Sequence, residues 1–116
     1  MLVLCYPKCS TCKKAMNWLD DHSIEFDKRD IVVDNPTEDE LRIWHKASEL
    51  PLRRFFNTSG MLYREMNLKD KLASMSEDEM YELLATNGML VKRPLLVLDD
   101  TVLVGFREKE WAGLLL

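Results

Sequence analysis

Residues 2–19 read LVLCYPKCSTCKKAMNWL and join an apolar run to a helix-forming segment. The run at residues 2–6 is short and stops at Pro7, which is typical of a buried strand followed by a turn. From Ser10 to about His22, apolar residues recur at helical spacing. The predicted buried side carries Cys12, Ala15, Met16 and Leu19. The chain is therefore predicted to begin as a strand, a tight loop and a helix.

Two capping boxes predict helix starts in the middle of the chain. In each, a hydroxyl side chain can accept a hydrogen bond from the backbone N–H three residues on. The glutamate at that later position can in turn accept a hydrogen bond from the backbone N–H of the hydroxyl residue. Thr37 pairs in this way with Glu40, and Ser76 with Glu79. The positions predicted to be buried on these helices are Leu41, Trp44, Ala47, Met80, Leu83 and Leu84. Weaker patterns predict a second strand at residues 25–31, helical turns at residues 51–56 and 66–73, and a loop at residues 57–60.

The sequence of the last quarter of the chain predicts a hairpin and a C-terminal helix. Two apolar runs, residues 95–98 and 101–104, flank a two-residue turn. The helix over residues 108–116 is predicted to bury Trp111, Leu114 and Leu115. The order β-α-β, a helical middle and β-β-α predicts an α/β fold, a thioredoxin-like mixed sheet with helices on both faces. We expect one domain over residues 1–116, with a helical insertion at about residues 37–88.

Composition excludes several classes of protein. The chain has 116 residues, 47% of them hydrophobic, and its three cysteines all lie within the first twelve positions. A disulfide-stapled secreted domain would spread an even number of cysteines along the chain. The net charge of −4 provides no overall attraction to nucleic acid or to an anionic membrane. With no leader or membrane-spanning run in the sequence, we expect a cytoplasmic address.

The sharpest motif is Cys9-Ser10-Thr11-Cys12 at the start of the first predicted helix. Residues three apart share one side of a helix, so the two sulfurs can reach each other. The positive helix N-terminus, together with Lys8 and Lys13, favours a thiolate on Cys9. A C-x-x-C motif after the first strand of a small α/β domain indicates redox chemistry. Cys9 is therefore the candidate nucleophile and Cys12 the candidate resolving thiol.

Metal binding and a purely structural role are the alternatives for these cysteines. With Cys5, they form a C-x3-C-x2-C spacing that resembles the cluster site of radical enzymes using S-adenosylmethionine, but those enzymes need a large barrel. Zinc would require a fourth ligand from His22 or His45, and neither has ligand spacing to a partner. We predict no metal site, and we expect Cys5 to point from its strand into the core.

A second candidate group precedes the predicted hairpin. Lys92-Arg93-Pro94 places an arginine directly before a strand. The planar guanidinium of Arg93 could bind an oxyanion or stabilise a thiolate.

The segments YPKCSTCKKA at residues 6–15 and KRPLLV at residues 92–97 resemble, at this separation, the family of glutaredoxin-linked arsenate reductases (ArsC) and Spx-type regulators. The same pattern includes Asn57-Thr58-Ser59-Gly60, Tyr63-Arg64 and Gly105-Phe106-Arg107. The resemblance implies a thioredoxin-like fold, a cis peptide bond at Pro94 and a reactive Cys9. It also implies an ArsC-like thiol-disulfide oxidoreductase or arsenate reductase, with no bound cofactor and with glutathione, glutaredoxin or thioredoxin as the reductant.

The chain departs from that pattern at the oxyanion pocket. The reductases use three arginines, of which only Arg93 has a counterpart here, while Asn57 and Gly105 stand near the other two positions. Arg53, Arg54 and Arg107 lie close by in the sequence, and Cys5 stands where those reductases tend to have histidine. Because each charge-assisted hydrogen bond is worth about 1.5–3 kcal/mol, these losses predict weaker arsenate binding.

The alternative that the resemblance implies is a regulator without turnover. Spx-type proteins use a C-x-x-C switch and contact the α subunit of RNA polymerase. Their contact carries a glycine, whereas the corresponding residues 48–51 here read SELP. The sequence therefore favours thiol chemistry over polymerase binding, with no direct contact to nucleic acid or membrane.

Overall fold

Four short strands form one mixed sheet in the computed structural model, which describes all residues 1–116. They are β1 (Leu2–Cys5), β2 (Asp27–Asp30), β3 (Leu95–Leu98) and β4 (Thr101–Val104), in the order β2-β1-β3-β4. Strands β1 and β2 are parallel, and the other two pairs are antiparallel. The predicted thioredoxin-like mixed sheet is confirmed.

Six α-helices accompany the sheet: α1 (Ser10–Asp21), α2 (Glu38–Ser48), α3 (Met61–Glu65), α4 (Leu68–Lys71), α5 (Glu77–Thr86) and α6 (Glu108–Leu115). Both predicted capping boxes are present, with Thr37 Oγ1 accepting from the Glu40 N–H at 3.1 Å and Ser76 Oγ from the Glu79 N–H at 3.1 Å. Helix α3 was not predicted, because its N-cap, Gly60, has no side chain to signal a helix start. The helix predicted at residues 66–73 begins only at Leu68, since Asn67 before it adopts a left-handed conformation.

The sheet separates two apolar clusters because side chains alternate along each strand. On β1, Leu4 joins the larger cluster, whereas Val3 and Cys5 join the smaller one. Helices α2 and α5 contribute to the larger cluster, and α1 and α6 to the smaller. Cys5 therefore points into the core, as predicted.

Several helix positions are buried differently from the prediction. Trp18 replaces Met16 on the buried side of α1, where its ring meets that of Trp111 edge-on with centroids 6.4 Å apart. Tyr81 is buried on α5 and Leu84 with it, while the predicted Met80 and Leu83 are only half-buried. Ala47, Leu114 and Leu115 are also half-buried. Trp18 and Tyr81 each bring a large apolar ring into the core at these positions.

One arginine joins β2 to the start of α2. Arg29 donates from Nη1 and Nη2 to the two carboxylate oxygens of Glu40, at 2.7 and 2.9 Å. It also donates to the carbonyl oxygens of Asp34 and Asn35. The hydrogen bonds from Arg29 lower the pKa of Glu40 to about 2. The loop between β2 and α2 is thus held through one guanidinium.

Replacing Glu40 with glutamine tests this ion pair, because glutamine can keep the capping box while it removes the charge. Glu40 has a folded pKa of about 2 and an ordinary value of 4.5, so its contribution is present above pH 4.5 and is lost as the pH falls towards 2. We expect Glu40→Gln to reduce the free energy of unfolding at pH 7 by about 1 kcal/mol, since solvent screens this partly exposed pair. Urea titrations at several pH values should show the difference from wild type shrinking between pH 5 and 2.5. A difference that stays constant would contradict the assignment.

Gly88 permits close contact between two backbone segments. A Cβ atom at this position would lie 1.8 Å from the carbonyl oxygen of Ile31. Gly88→Ala should therefore destabilise the fold by about 1–3 kcal/mol or more, because backbone atoms cannot move aside cheaply. Gly113→Ala is the matched control, since its Cβ in α6 would meet nothing within 4 Å and alanine favours a helix by up to about 1 kcal/mol. Equal stability of the two variants in guanidinium unfolding would contradict this account.

Candidate active site

Cys9 occupies the N-cap position of α1. Its backbone is extended, with φ −86° and ψ 123°, and its carbonyl oxygen accepts the Lys13 N–H at 3.1 Å. No side chain caps this helix end, and its first turn has no acidic residue. The free N–H groups and the helix dipole therefore give the surroundings of the Cys9 thiol a positive partial charge.

The other two thiols lie behind Cys9 in the smaller apolar cluster. Cys5 and Cys12 are buried and Cys9 is half-buried, and all three are unpaired. Cys12 Sγ accepts the Tyr6 N–H at 3.3 Å. The interaction of this thiol with Cys5 is the largest cause that raises the pKa of Cys12, and its burial raises that pKa further. The same interaction lowers the pKa of Cys5. Cys12 is therefore held as a neutral thiol, and only Cys9 is open to an external molecule.

A cavity of about 460 Å³ lies against Cys9. Its walls come from the start of α1, the loop and α3 around residues 57–62, and the segment before β3. The polar side chains in these walls belong to Cys9, Ser10, Thr11, Asn57, Ser59, Lys92 and Arg93. The fold thus brings Cys9 and Arg93, which are far apart in sequence, into one cavity.

Arg93 is held in this cavity with part of its guanidinium unpaired. The Arg93–Pro94 peptide bond is cis, as the family resemblance implied. The guanidinium carbon lies 5.2 Å from the centroid of the Tyr6 ring, and Nη1 donates to the Met89 carbonyl oxygen at 3.4 Å. The buried Nε has no hydrogen-bond partner in the protein. Nε is therefore enclosed by protein atoms, although Arg93 as a residue lines the cavity.

A second cavity, of about 650 Å³, adjoins the first through Thr11 and Lys92, which line both. We call it the cationic cleft, because it is lined by Arg53, Arg54, Lys69, Lys92 and Arg107. None of these five side chains forms a salt bridge within the protein. In a chain of net charge −4, this is an unneutralised positive surface beside the cysteine.

The structure brings together some of the predicted site residues and leaves others apart. Cys9 and Arg93 share a cavity, and Cys12 lies behind Cys9. Lys8 and Lys13 are exposed and line neither cavity, so their effect on Cys9 stays a prediction.

Sequence reasoning missed two contributors to the site. Lys69 lies on α4, and only the packing of that helix brings it to the cleft. Asn57, noted in the sequence as part of the family pattern and as standing near an arginine position, is a buried wall residue whose N–H donates to the Leu90 carbonyl at 2.8 Å. The sequence signal for a role of Asn57 in the site was its position in the loop at residues 57–60, which reads NTSG.

The remaining titratable groups do not form a metal centre. No group of three or more His, Cys, Asp or Glu side chains is arranged to hold a metal ion. The ring of His22 contacts the Trp18 carbonyl, and that of His45 contacts the Tyr81 hydroxyl. None of the helices is long and apolar enough to cross a membrane.

Comparison with known proteins identifies the family. Residues 4–114 match the ArsC family. The chain is 52% identical to the uncharacterized protein YusI of Bacillus subtilis, covering 91% of this chain and 90% of that one. It is 30% identical to the regulatory protein MgsR of Bacillus subtilis, covering 90% and 82%.

Solved structures agree with this result. An ArsC family related protein from Bacteroides fragilis is 55% identical, with a TM-score of 0.95 and coverage of 97% of this chain and 95% of that one. A possible arsenate reductase from Streptococcus mutans is 44% identical, with a TM-score of 0.87 and coverage of 96% of each chain. The chain belongs to the ArsC family.

The burial of the three thiols predicts an order of reactivity. Iodoacetamide applied to the folded, reduced protein at neutral pH should label Cys9 at least about ten times faster than Cys5 or Cys12, because only Cys9 is accessible. Mass spectrometry of tryptic peptides after timed quenching measures each rate. In guanidinium, all three rates should converge. Equal labelling in the folded protein would contradict the burial of Cys5 and Cys12.

Proposed function

We propose that this ArsC-family protein is a thiol-disulfide oxidoreductase that acts on an anionic oxidised substrate, with Cys9 as the nucleophile and Cys12 as the resolving thiol. One observation carries the proposal. Cys9 lies at the uncapped N-terminus of α1, in a cavity that the cation of Arg93 also lines. A thiol next to a fixed cation and a helix N-terminus suits nucleophilic attack on a substrate that carries negative charge.

The reaction begins at Cys9. For a disulfide substrate, the Cys9 thiolate attacks one sulfur, a mixed disulfide forms, and the other sulfur leaves as a thiolate that takes up a proton. Arg93 would bind the negative charge of the substrate or stabilise the Cys9 thiolate, because its planar guanidinium suits an oxyanion. Arsenate, which is itself an oxyanion, is a substrate to test on the same grounds.

Cys12 completes the cycle. It loses its proton and attacks the Cys9 sulfur, so that the substrate thiol is released and a Cys9–Cys12 disulfide remains. Since the Cys5 interaction and burial raise the pKa of Cys12, this thiol is protonated in the reduced protein. Glutathione, glutaredoxin or thioredoxin then supplies two electrons and restores both thiols. These thiol-disulfide exchange steps need no bound cofactor.

The cationic cleft supports an anionic substrate or reductant. Thr11, two residues after the nucleophile, lines both the cavity of Cys9 and this cleft, which five cations without salt bridges also line. A ligand with separated negative groups could bind there while its reacting atom lies at Cys9. The arginine set of the arsenate reductases is incomplete here, so the cleft favours a larger anion over a compact one.

A second candidate function is a redox-switched regulator. The identity to MgsR, a regulatory protein, favours it. In that case the Cys9–Cys12 disulfide would change the affinity for a partner such as the RNA polymerase α subunit, without turnover. The segment at residues 48–51 corresponds to the contact where Spx-type proteins carry a glycine. Here it includes Glu49, whose φ of 58° lies in the left-handed region that glycine adopts most easily.

Substitution of each cysteine tests the proposed reaction. The assay measures the reduction of arsenate and of a small disulfide. NADPH consumption, coupled to the glutaredoxin or the thioredoxin system, reports the rate. We expect Cys9→Ser to lower the rate at least about hundredfold, because the nucleophile is lost. Cys12→Ser should lower it about tenfold or more, because the mixed disulfide then waits for an external thiol. Lys14→Ala, an exposed change on α1, is the matched control and should retain the wild-type rate.

Two results would count against the proposal. Full activity of Cys12→Ser would exclude its resolving role. Absence of turnover with every substrate, together with binding of polymerase α subunit by only one redox form in a pull-down, would favour the regulator instead.

A further inference from the structure

Cys5 is a buried thiol that the proposed reaction leaves unused. It is the last residue of β1, and its side chain is only 2% exposed. A buried cysteine is ordinarily a small apolar core residue without chemistry. Here, however, its neighbour in the core is Cys12, the candidate resolving thiol, and both belong to the smaller apolar cluster.

The geometry of the turn after β1 brings these two cysteines together. The Tyr6 N–H donates to Cys12 Sγ at 3.3 Å. That nitrogen is two covalent bonds, about 2.4 Å, from the Cα atom of Cys5. Cys12 Sγ therefore lies within about 6 Å of the Cys5 Cα, a separation from which rotation of the two side chains can bring the sulfurs into bonding range.

The Cys12 thiol also interacts with both of its cysteine neighbours. Contacts with the Cys5 and Cys9 side chains both influence its pKa, in opposite directions. In the reduced protein, the hydrogen-bonding interaction with Cys12 lowers the pKa of Cys5. Cys12 is thus the thiol that has a hydrogen-bonding interaction with each of the other two.

We propose that Cys5 is a third exchange partner, which attacks Cys12 in the oxidised protein and moves the disulfide from Cys9–Cys12 to Cys5–Cys12. The inference rests on the proposed function, since that reaction produces the Cys9–Cys12 disulfide. The Cys5 thiol loses its proton and its sulfur forms a bond to the Cys12 sulfur, while the bond between Cys12 and Cys9 breaks and Cys9 leaves as a thiolate that takes up a proton. The number of disulfides is unchanged, so no further oxidant or reductant takes part.

The exchange would change the state of the site. A Cys5–Cys12 disulfide is enclosed in the core, where an external thiol reaches it poorly. Cys9 meanwhile returns to the cavity as a free thiol. The oxidised protein could therefore form a second mixed disulfide at Cys9 while it keeps the first oxidation in the core.

Disulfide mapping of the oxidised wild-type protein tests the exchange. The reduced protein is treated with one equivalent of diamide, held at neutral pH, quenched with acid, blocked with N-ethylmaleimide and digested with trypsin. Cleavage after Lys8 and Lys13 separates a peptide with Cys5 from a peptide with Cys9 and Cys12. A Cys9–Cys12 bond stays within the second peptide, whereas a Cys5–Cys12 bond joins the two and leaves maleimide on Cys9.

We expect the joined peptides, with maleimide on Cys9, in on the order of a tenth or more of the oxidised molecules. In Cys5→Ser they should be absent, while the Cys9–Cys12 bond still forms. A Cys9–Cys12 bond alone in the wild type would overturn the exchange and leave the proposed function standing. A bond between Cys5 and Cys9 would also overturn it. Failure to form any disulfide would count against both.

A second measurement does not depend on the folding of a variant. Native oxidised protein is exposed briefly to iodoacetamide, which reaches Cys9 but not buried Cys5. Labelling of Cys9 in molecules with one disulfide and no mixed disulfide supports the exchange. If oxidised molecules remain unlabelled at Cys9 after long incubation, the exchange does not occur.

Discussion

The backbone of Tyr6 sets the relation between β1 and α1, on which the rest of the site depends. Its carbonyl oxygen accepts the Cys9 N–H at 3.0 Å, and its N–H donates to Cys12 Sγ. One residue therefore places the N-cap and the first turn of the helix against the end of the strand. Its ring also lies beside the guanidinium of Arg93. The cysteines and the arginine are positioned by this single turn.

Positive charge without internal partners lies beside the same site. The chain is acidic overall, yet the cationic cleft gathers five side chains without internal partners, and the cavity beside it holds an arginine with an unpaired nitrogen. Acidic side chains elsewhere are used in the structure, as Glu40 is with Arg29. Cations without salt bridges next to a nucleophile favour an anionic ligand.

Local signals in the sequence predicted many of the elements correctly. Thr37 and Ser76 carry their own capping partners, so the starts of α2 and α5 are encoded within four residues. By contrast, α3 has no cap, and nothing near Met61 predicts a helix start. The burial of Trp18 in place of Met16 depends on the ring of Trp111 at the other end of the chain. Such choices follow from packing between distant elements, which no local pattern describes.

The sequence by itself determined the C-x-x-C motif, the mixed sheet and the family resemblance, because periodicity, caps and motif spacing are properties of neighbouring residues. Only the tertiary structure decided which distant groups meet. It placed Arg93 in the cavity of Cys9, brought Lys69 to the cationic cleft and put Cys5 and Cys12 in the same apolar cluster. The physical reason is that side-chain contacts across the sheet depend on how helices pack, and packing is settled by the whole core at once.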